Sequence, residues 1–227
     1  MMDSRNGNYC DILVAVWDNY ALTRQCLESI TGQTNYPYRI IIVDNGSNQE
    51  TQQYLKDLHQ NKTVRTSLVR NEENAGFTKA MVQALAVSDA PFVCVLNNDT
   101  VVTRWWLEEM VSVAEQESDI GIVTTRSNAK NPPESNGYTD IQKKGKENRA
   151  LYTGRYFELS IAPFFCVLIK RTLIDTIGFF DEVFNPGYFE DTDYCYRTLR
   201  AGYKIVCAQG AYVYHVEKGS FKRVKKQ

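Results

Sequence analysis

Arg39-Ile40-Ile41-Ile42-Val43-Asp44-Asn45-Gly46-Ser47 couples a short, continuously apolar run to an abrupt polar stop. Such a run offers no polar face, so it reads as a strand covered on both sides, the habit of parallel sheets. Asn45-Gly46 marks a tight turn at its end. Toward the N-terminus, Ile12-Leu13-Val14-Ala15-Val16-Trp17 repeats the pattern, and Leu22, Cys26 and Ile30 give one apolar helix face between the two. Toward the C-terminus, Tyr54, Leu55 and Leu58 mark a short helix and residues 64–69 a third strand. Phe77, Ala80, Met81, Ala84 and Leu85 then form the stripe of an amphipathic helix. Pro91-Phe92-Val93-Cys94-Val95-Leu96 is a fourth strand, running into Asn97-Asn98-Asp99. This alternation predicts an α/β protein with a doubly wound, mostly parallel sheet. Such sheets bind ligands beyond the carboxyl ends of their strands, and both polar clusters fall there.

The second half has a different texture. Residues 127–148 are polar, with Pro132-Pro133, Asn136-Gly137 and several lysines, which predicts a long mobile loop. Ala162 to Ile169 reads as strand, Arg171 to Ile177 as a short helix stopped by Gly178, and Asp191 to Arg200 as a helix with Gly202 at its C-terminal end. Tyr203 to Cys207 and Ala211 to His215 read as two short strands. The chain 1–227 is read as one domain, with halves of about 10–125 and 126–227.

Hydrophobic residues make up 43% and charged residues 23%, enough apolar material for a sizeable core. A net charge of −1 gives no basis for broad nucleic-acid binding. The one charge run, Lys222, Arg223, Lys225 and Lys226, is either a solvated end or a weak peripheral contact with an anionic membrane face. None of the six cysteines forms a C-x-x-C pair, and Cys26, Cys94, Cys166 and Cys207 sit in apolar runs. They read as reduced and buried rather than as a disulfide or zinc framework. Met1 to Tyr9 lacks the apolar core of a signal peptide. No apolar stretch approaches the ~18 residues that span a bilayer, so a cytoplasmic location is expected. Because the chain ends soon after His215, a further C-terminal extension is expected.

Four clusters can carry chemistry, and each also has a purely structural reading. Asp44 either belongs to an Asx-type turn or, at a strand tip, accepts a hydrogen bond from a nucleobase N–H. Asn97-Asn98-Asp99-Thr100 is either a turn or a segment whose one carboxylate serves Mg²⁺ or Mn²⁺ beside phosphates. Glu190-Asp191-Thr192-Asp193 either complements a helix dipole or projects a general base. His215, one of two histidines, is either structural or a ligand at a strand end.

In this order the clusters resemble glycosyltransferase family 2, enzymes of the GT-A fold, and especially its rhamnosyltransferase-like members. The resemblance runs through Val16-Trp17-Asp18-Asn19, Cys26-Leu27-Glu28-Ser29-Ile30, Val43 to Ser47, Asn74-Ala75-Gly76-Phe77 and Leu96 to Asp99. Its most specific part is Gly178-Phe179-Phe180-Asp181-Glu182, then Phe189-Glu190-Asp191-Thr192-Asp193 with Arg197, then Ala201-Gly202-Tyr203 and finally His215.

The resemblance implies a nucleotide-binding N-terminal half and an acceptor-binding C-terminal half. It implies transfer, with inversion, from a UDP- or dTDP-linked sugar to a hydroxyl of a glycan or lipid-linked glycan. Val16, Asp18, Asp44, Asn74, Gly76, Lys79, Asn97, Asn98 and Asp99 would bind the nucleotide sugar. Asp99 and His215 would hold Mn²⁺ or Mg²⁺, and Asp191 would be the general base. Glu190, Phe164 and Phe165 would face the acceptor, while Asp193 and Arg197 would pair and position Asp191. The acidic segment departs from D-x-D in having one carboxylate, and no Q-x-x-R-W motif follows, which argues against processive polysaccharide synthesis. A nucleotidyltransferase or a dinucleotide-dependent oxidoreductase would need a glycine-rich loop after the first strand, and Trp17-Asp18-Asn19-Tyr20 is not one. The competing expectation is a catalytically degenerate domain that binds nucleotide sugar or glycan without transferring it.

Overall fold

The computed structural model describes residues 9–129 and 133–216. In chain order the elements are β1 (Cys10–Val16), α1 (Tyr20–Gln33), β2 (Tyr38–Asn45), α2 (Gln49–Gln60), β3 (Thr66–Asn71), α3 (Phe77–Ala86), β4 (Phe92–Leu96) and β5 (Thr100–Val102). There follow α4 (Trp106–Ala114), β6 (Ile120–Arg126), α5 (Tyr138–Tyr152), β7 (Tyr156–Leu159), β8 (Cys166–Lys170), α6 (Arg171–Ile177), a 3-10 turn (Glu182–Phe184), α7 (Glu190–Arg200) and β9 (Lys204–His215). One mixed sheet runs in the order β3-β2-β1-β4-β8-β6-β9-β5, with β7 also paired to β9. The β3-β2-β1-β4 portion is parallel, and β8 enters antiparallel between β4 and β6. Because β9 is parallel to β6, strands β1, β2, β3, β4, β6 and β9 share one direction and end at one edge.

The two-sided burial read from the apolar runs is what makes the sheet doubly wound. Ile12, Val14, Ile40 and Ile42 pack on one face against Cys26, Leu27 and Ile30 of α1, Leu55 of α2, and Trp106 and Met110 of α4. Leu13, Ile41, Val43, Val93 and Val95 face the other way, onto Met81 and Ala84 of α3, Leu173 of α6 and Tyr194 of α7. Each fully buried aliphatic side chain stabilises the fold by about 1.5–3 kcal/mol relative to exposure. All six cysteines are buried and unpaired, and burial pushes the Cys26 thiol up to about 12. They are inert packing groups, as expected.

Three expectations need correction and one stretch needs filling in. The segment 127–148 is not one loop, because α5 takes its second half. Ile141, Gly145 and Asn148 form the buried stripe of that helix, and a Cβ on Gly145 would collide with the Thr103 side chain. A stripe of isoleucine, glycine and asparagine is helical in spacing but not in polarity, so it carries no hydrophobic signal. The strand expected over Ala162 to Ile169 starts only at Cys166, after Pro163, and β7 precedes it unannounced. The two expected C-terminal strands are one, β9, whose register against β6 shifts between Thr125 and Arg126. Finally, β5, α4 and β6 lie in a stretch for which the sequence reading gave no elements. The basic residues Lys222 to Lys226 lie outside the described residues, among which no helix is long and apolar enough to cross a membrane.

Candidate active site

The common strand edge collects the expected residues in two groups. The first surrounds the ends of β1 and β2. Asp44 is buried; its Oδ1 accepts the Ser47 N–H at 3.0 Å, and its Oδ2 is ion-paired with Arg70 of β3. Asp18, at φ 56°, accepts the Asn48 N–H on Oδ1 at 2.7 Å, while its own N–H donates to Ser47 Oγ at 3.0 Å. Val16 is buried, and its carbonyl accepts the Ser47 hydroxyl at 3.4 Å. Asn45 ties in the next loop: it donates to Asn74 Oδ1 at 2.8 Å and to the Gly76 carbonyl at 3.2 Å, and it accepts from Asn71 at 2.9 Å. Lys79 is exposed in the first turn of α3.

That first turn is also where the C-terminal half meets the N-terminal half. Phe77 N–H donates to the Pro186 carbonyl at 2.6 Å and Lys79 N–H to Asn185 Oδ1 at 3.3 Å. Two donors of the α3 N-terminus are thereby satisfied by the loop that leads into α7. Gly76, at φ 91°, leaves the room this requires, since a Cβ there would collide with Asn185 and Pro186.

The second group surrounds β4, β8, β9 and α7. Directly after Asp99, β5 pairs antiparallel with β9 so that Thr100 sits opposite His215. This three-residue strand brings Asp99 Oδ1 to 3.1 Å from His215 Nε2. Phe165 stacks on the imidazole at 4.9 Å and 12°, and Asn128 clamps the His215 backbone by accepting its N–H at 2.7 Å and donating to its carbonyl at 2.9 Å. Asn98 is buried and donates to Thr23 Oγ1 of α1 at 2.9 Å, which fixes the turn before Asp99. A cleft of about 440 Å³ opens here, lined by Asn97, Phe164, Phe165, Glu190, Asp191 and His215, with Tyr188 and Phe189 among its other walls.

Within the cleft the two acidic residues differ. Asp191 is half-buried, and one of its oxygens accepts the Thr192 N–H at 2.6 Å and the Thr192 hydroxyl at 3.2 Å. Glu190 is buried, and burial, opposed by hydrogen bonds from its own and the Tyr188 backbone N–H, raises its carboxyl above the usual range. Its Oε2 has no hydrogen-bond partner among the described residues. Asp193 and Arg197 do pair, at 2.8 Å. Arg197 also donates to the carbonyls of Ile177 and Phe179 at 3.0 and 2.8 Å, which anchors α7 to the preceding loop.

The geometry joins His215, Asp191 and Glu190 around one cleft, with Asp99 behind His215, and leaves Val16, Asp18, Asp44, Asn74, Gly76, Lys79, Asn98 and Asp99 itself off its walls. Phe165 stacks on His215 at its wall, while Phe164 is tied into the core by contacts with Phe180 and Tyr194. Sequence reasoning missed Arg70, which lacks any motif, and Asn128, which fell in the segment taken for a mobile loop. One carboxylate and one imidazole converge at Asp99 and His215, and no third His, Cys, Asp or Glu joins them among the described residues. This donor set fits a divalent cation that takes its remaining ligands from phosphate oxygens and water.

Comparison with known proteins agrees with this fold. The chain is 25% identical over 228 residues to a hyaluronan synthase of Pasteurella multocida, covering 87% of this chain and 23% of that protein. It spans about a quarter of the length of the first curated relatives it matches. Its fold matches the mannosyltransferase PcManGT of Pyrobaculum calidifontis, solved with GDP-Man and Mn²⁺, with TM-score 0.72 and 17% identity over 95% of this chain and 59% of that one. It also matches GalNAc-T7, solved with UDP, GalNAc and Mn²⁺, with TM-score 0.73 and 13% identity over 93% of this chain and 44% of that one. These are GT-A folds, and this chain has the same α/β architecture with its mostly parallel central sheet. The Glycosyl transferase family 2 profile matches residues 11–178, most of the chain, and the chain belongs to that family.

Proposed function

We propose that this chain is an inverting glycosyltransferase that moves a hexosyl or deoxyhexosyl group from a UDP- or dTDP-linked sugar to a hydroxyl of a glycan or lipid-linked glycan. The observation that carries this reading is that His215 and Asp191 line one cleft from distant parts of the chain, with Asp99 in contact with His215 at its edge. The donor lies along the N-terminal half, its base toward Asp44 and Asp18. Both Asp44 oxygens already accept a bond, but each has a second lone pair for a base N–H. Asp99 and His215 would hold a divalent cation, which would supply charge neutralisation for the diphosphate leaving group.

The acceptor oxygen forms a bond to the anomeric carbon from the face opposite the diphosphate, and the bond from that carbon to the phosphate oxygen breaks with its electron pair. The acceptor proton passes to the Asp191 carboxylate. The two Thr192 hydrogen bonds fix one oxygen of Asp191, and the ion pair beneath it holds the helix start in place.

Calorimetry of UDP, dTDP and GDP with and without Mn²⁺, followed by assay of sugar release from the matching donors, tests this reading. Binding that tightens with Mn²⁺, together with slow release of free sugar, is the expected result. A protein that binds the diphosphate but neither releases nor transfers sugar is only a binding domain. One that binds no diphosphate overturns the proposal.

A further inference from the structure

The loop entering α7 places two aromatic side chains where the backbone resists them. Tyr188 and Phe189 have φ of 78° and 71°, in the left-handed region that bulky L-residues avoid. Burial does not compensate, for Tyr188 is 58% exposed and Phe189 69%. Consecutive strained and largely exposed rings are unfavourable for the free chain on both counts. Both line the cleft that holds Asp191 and His215. Next to them Glu190, more than nine-tenths buried, lines the same cleft, and its buried Oε2 has no hydrogen-bond partner among the described residues.

The electron-rich face of an aromatic ring attracts polarised C–H bonds, and one face of a pyranose is a row of axial C–H bonds. The hydroxyls at the rim of that ring are donors, and a carboxylate oxygen is an acceptor. Two open rings beside an unsatisfied carboxylate oxygen therefore match a sugar in both its apolar and its polar parts. A nucleobase would also suit the rings, but Asp18 and Asp44, the candidates for reading a base, do not line this cleft.

Resting on the glycosyl-transfer reading, we infer that Tyr188 and Phe189 form a stacking platform for the acceptor, that the acceptor group seated there is a pyranose ring, and that Glu190 Oε2 accepts a hydrogen bond from one of its hydroxyls. The platform makes Tyr188 and Phe189 determinants of acceptor class, separate from donor binding.

The test uses the full chain with Mn²⁺ and either UDP or GDP, whichever binds more tightly. Methyl pyranosides of glucose, galactose, mannose, N-acetylglucosamine and rhamnose are the probes, read by saturation-transfer NMR. At least one is expected to receive saturation, concentrated on the axial protons of one ring face. Tyr188→Asn and Phe189→Asn, in which asparagine tolerates the left-handed conformation, should each weaken that Kd by roughly three- to tenfold, the size of one aromatic contact. Phe189→Tyr should keep it. Melting temperature should hold or rise in the Asn variants, and diphosphate affinity should not change.

Unchanged pyranoside binding in both Asn variants overturns the platform, as does equal loss in Phe189→Tyr. Failure of every pyranoside to bind overturns the saccharide assignment. Loss of diphosphate affinity in the Asn variants makes the rings a base platform instead. Failure of the wild type to bind any diphosphate is a different result, which removes the glycosyl-transfer reading itself.

Discussion

The ends of β1 and β2 and the entry to α7 stand at the same edge of the sheet and are built on opposite terms. At the first, Asp44, Asp18 and Asn45 each hold two or more partners within the protein. At the second, Glu190 keeps an unpartnered oxygen among the described residues, and two aromatic side chains stand exposed on strained backbone. A saturated network costs little reorganisation when a ligand arrives, which suits a site that must hold a donor in one pose. An unsaturated surface gives up stability in the free protein and recovers it only in the complex. Substitutions at the first region should therefore act mainly on stability, and those at the second mainly on turnover.

Asp191→Asn should sharpen the contrast most. Asp191 lies in the first turn of α7 and not at its cap. Asparagine keeps the oxygen that accepts from Thr192 and loses only a charge–dipole contribution of about 1 kcal/mol or less. Melting temperature and donor affinity should therefore persist, while transfer falls by roughly 10²–10⁴-fold, the usual contribution of a positioned base. A variant that still transfers within about tenfold of wild type would remove Asp191 from the mechanism and turn attention to Glu190.

On the saturated side, Asp44→Ala strips Arg70 of its carboxylate and Ser47 of its acceptor. Breaking a buried pair costs about 3–5 kcal/mol, and the partial exposure of Arg70 places this case near the lower bound. Urea denaturation checks the figure. A loss below about 1 kcal/mol, the range of surface pairs, would break the claim that this region is held by its own network.

His215→Ala should leave metal-free diphosphate affinity unchanged and remove most of the strengthening by Mn²⁺, because it deletes one of the two proposed ligands, which meet at 3.1 Å. Calorimetry with and without the cation separates the two effects. An undiminished Mn²⁺ response would show that the Asp99–His215 contact is structural.

The smallest effect concerns Glu190. Burial raises its carboxyl in the folded state, so the protonated form favours folding below the ordinary glutamate pKa, and that advantage is lost as pH rises through the folded value. Glu190→Gln mimics the protonated form. Its melting temperature should match wild type at low pH and exceed it progressively as pH rises toward neutrality. Equal melting temperatures across the range would mean that the carboxyl is effectively solvated.

The sequence made the parallel half of the sheet legible because its strands are covered on both faces, and a run such as Ile40-Ile41-Ile42-Val43 has no other use. The candidate site was legible where its residues sit at strand ends, as with Asp99 and His215, which the fold brings together. What joins those two residues was not. Strand β5 is only Thr100-Val101-Val102, too short to show a period, and its pairing partner lies over a hundred residues away. Helix α5 was hidden for a different reason, since its buried stripe is polar and small where it meets Thr103 and β9. Arg70 shows the same limit in charge: nothing local distinguishes an arginine that completes a buried ion pair from one that faces water.

The contact between Gly76 and the Asn185-Pro186 segment has a consequence for how such enzymes change over time. The loop that carries the acceptor platform rests on the first turn of a helix in the donor half, with no room for even a methyl group between them. A lineage can vary the largely exposed rings at 188 and 189 more readily than the contact beneath the loop. It cannot replace the whole segment without also keeping a glycine more than a hundred positions upstream. Chimeras that graft this loop from one relative to another should therefore succeed or fail on the glycine they land against, rather than on the sugar they were meant to accept.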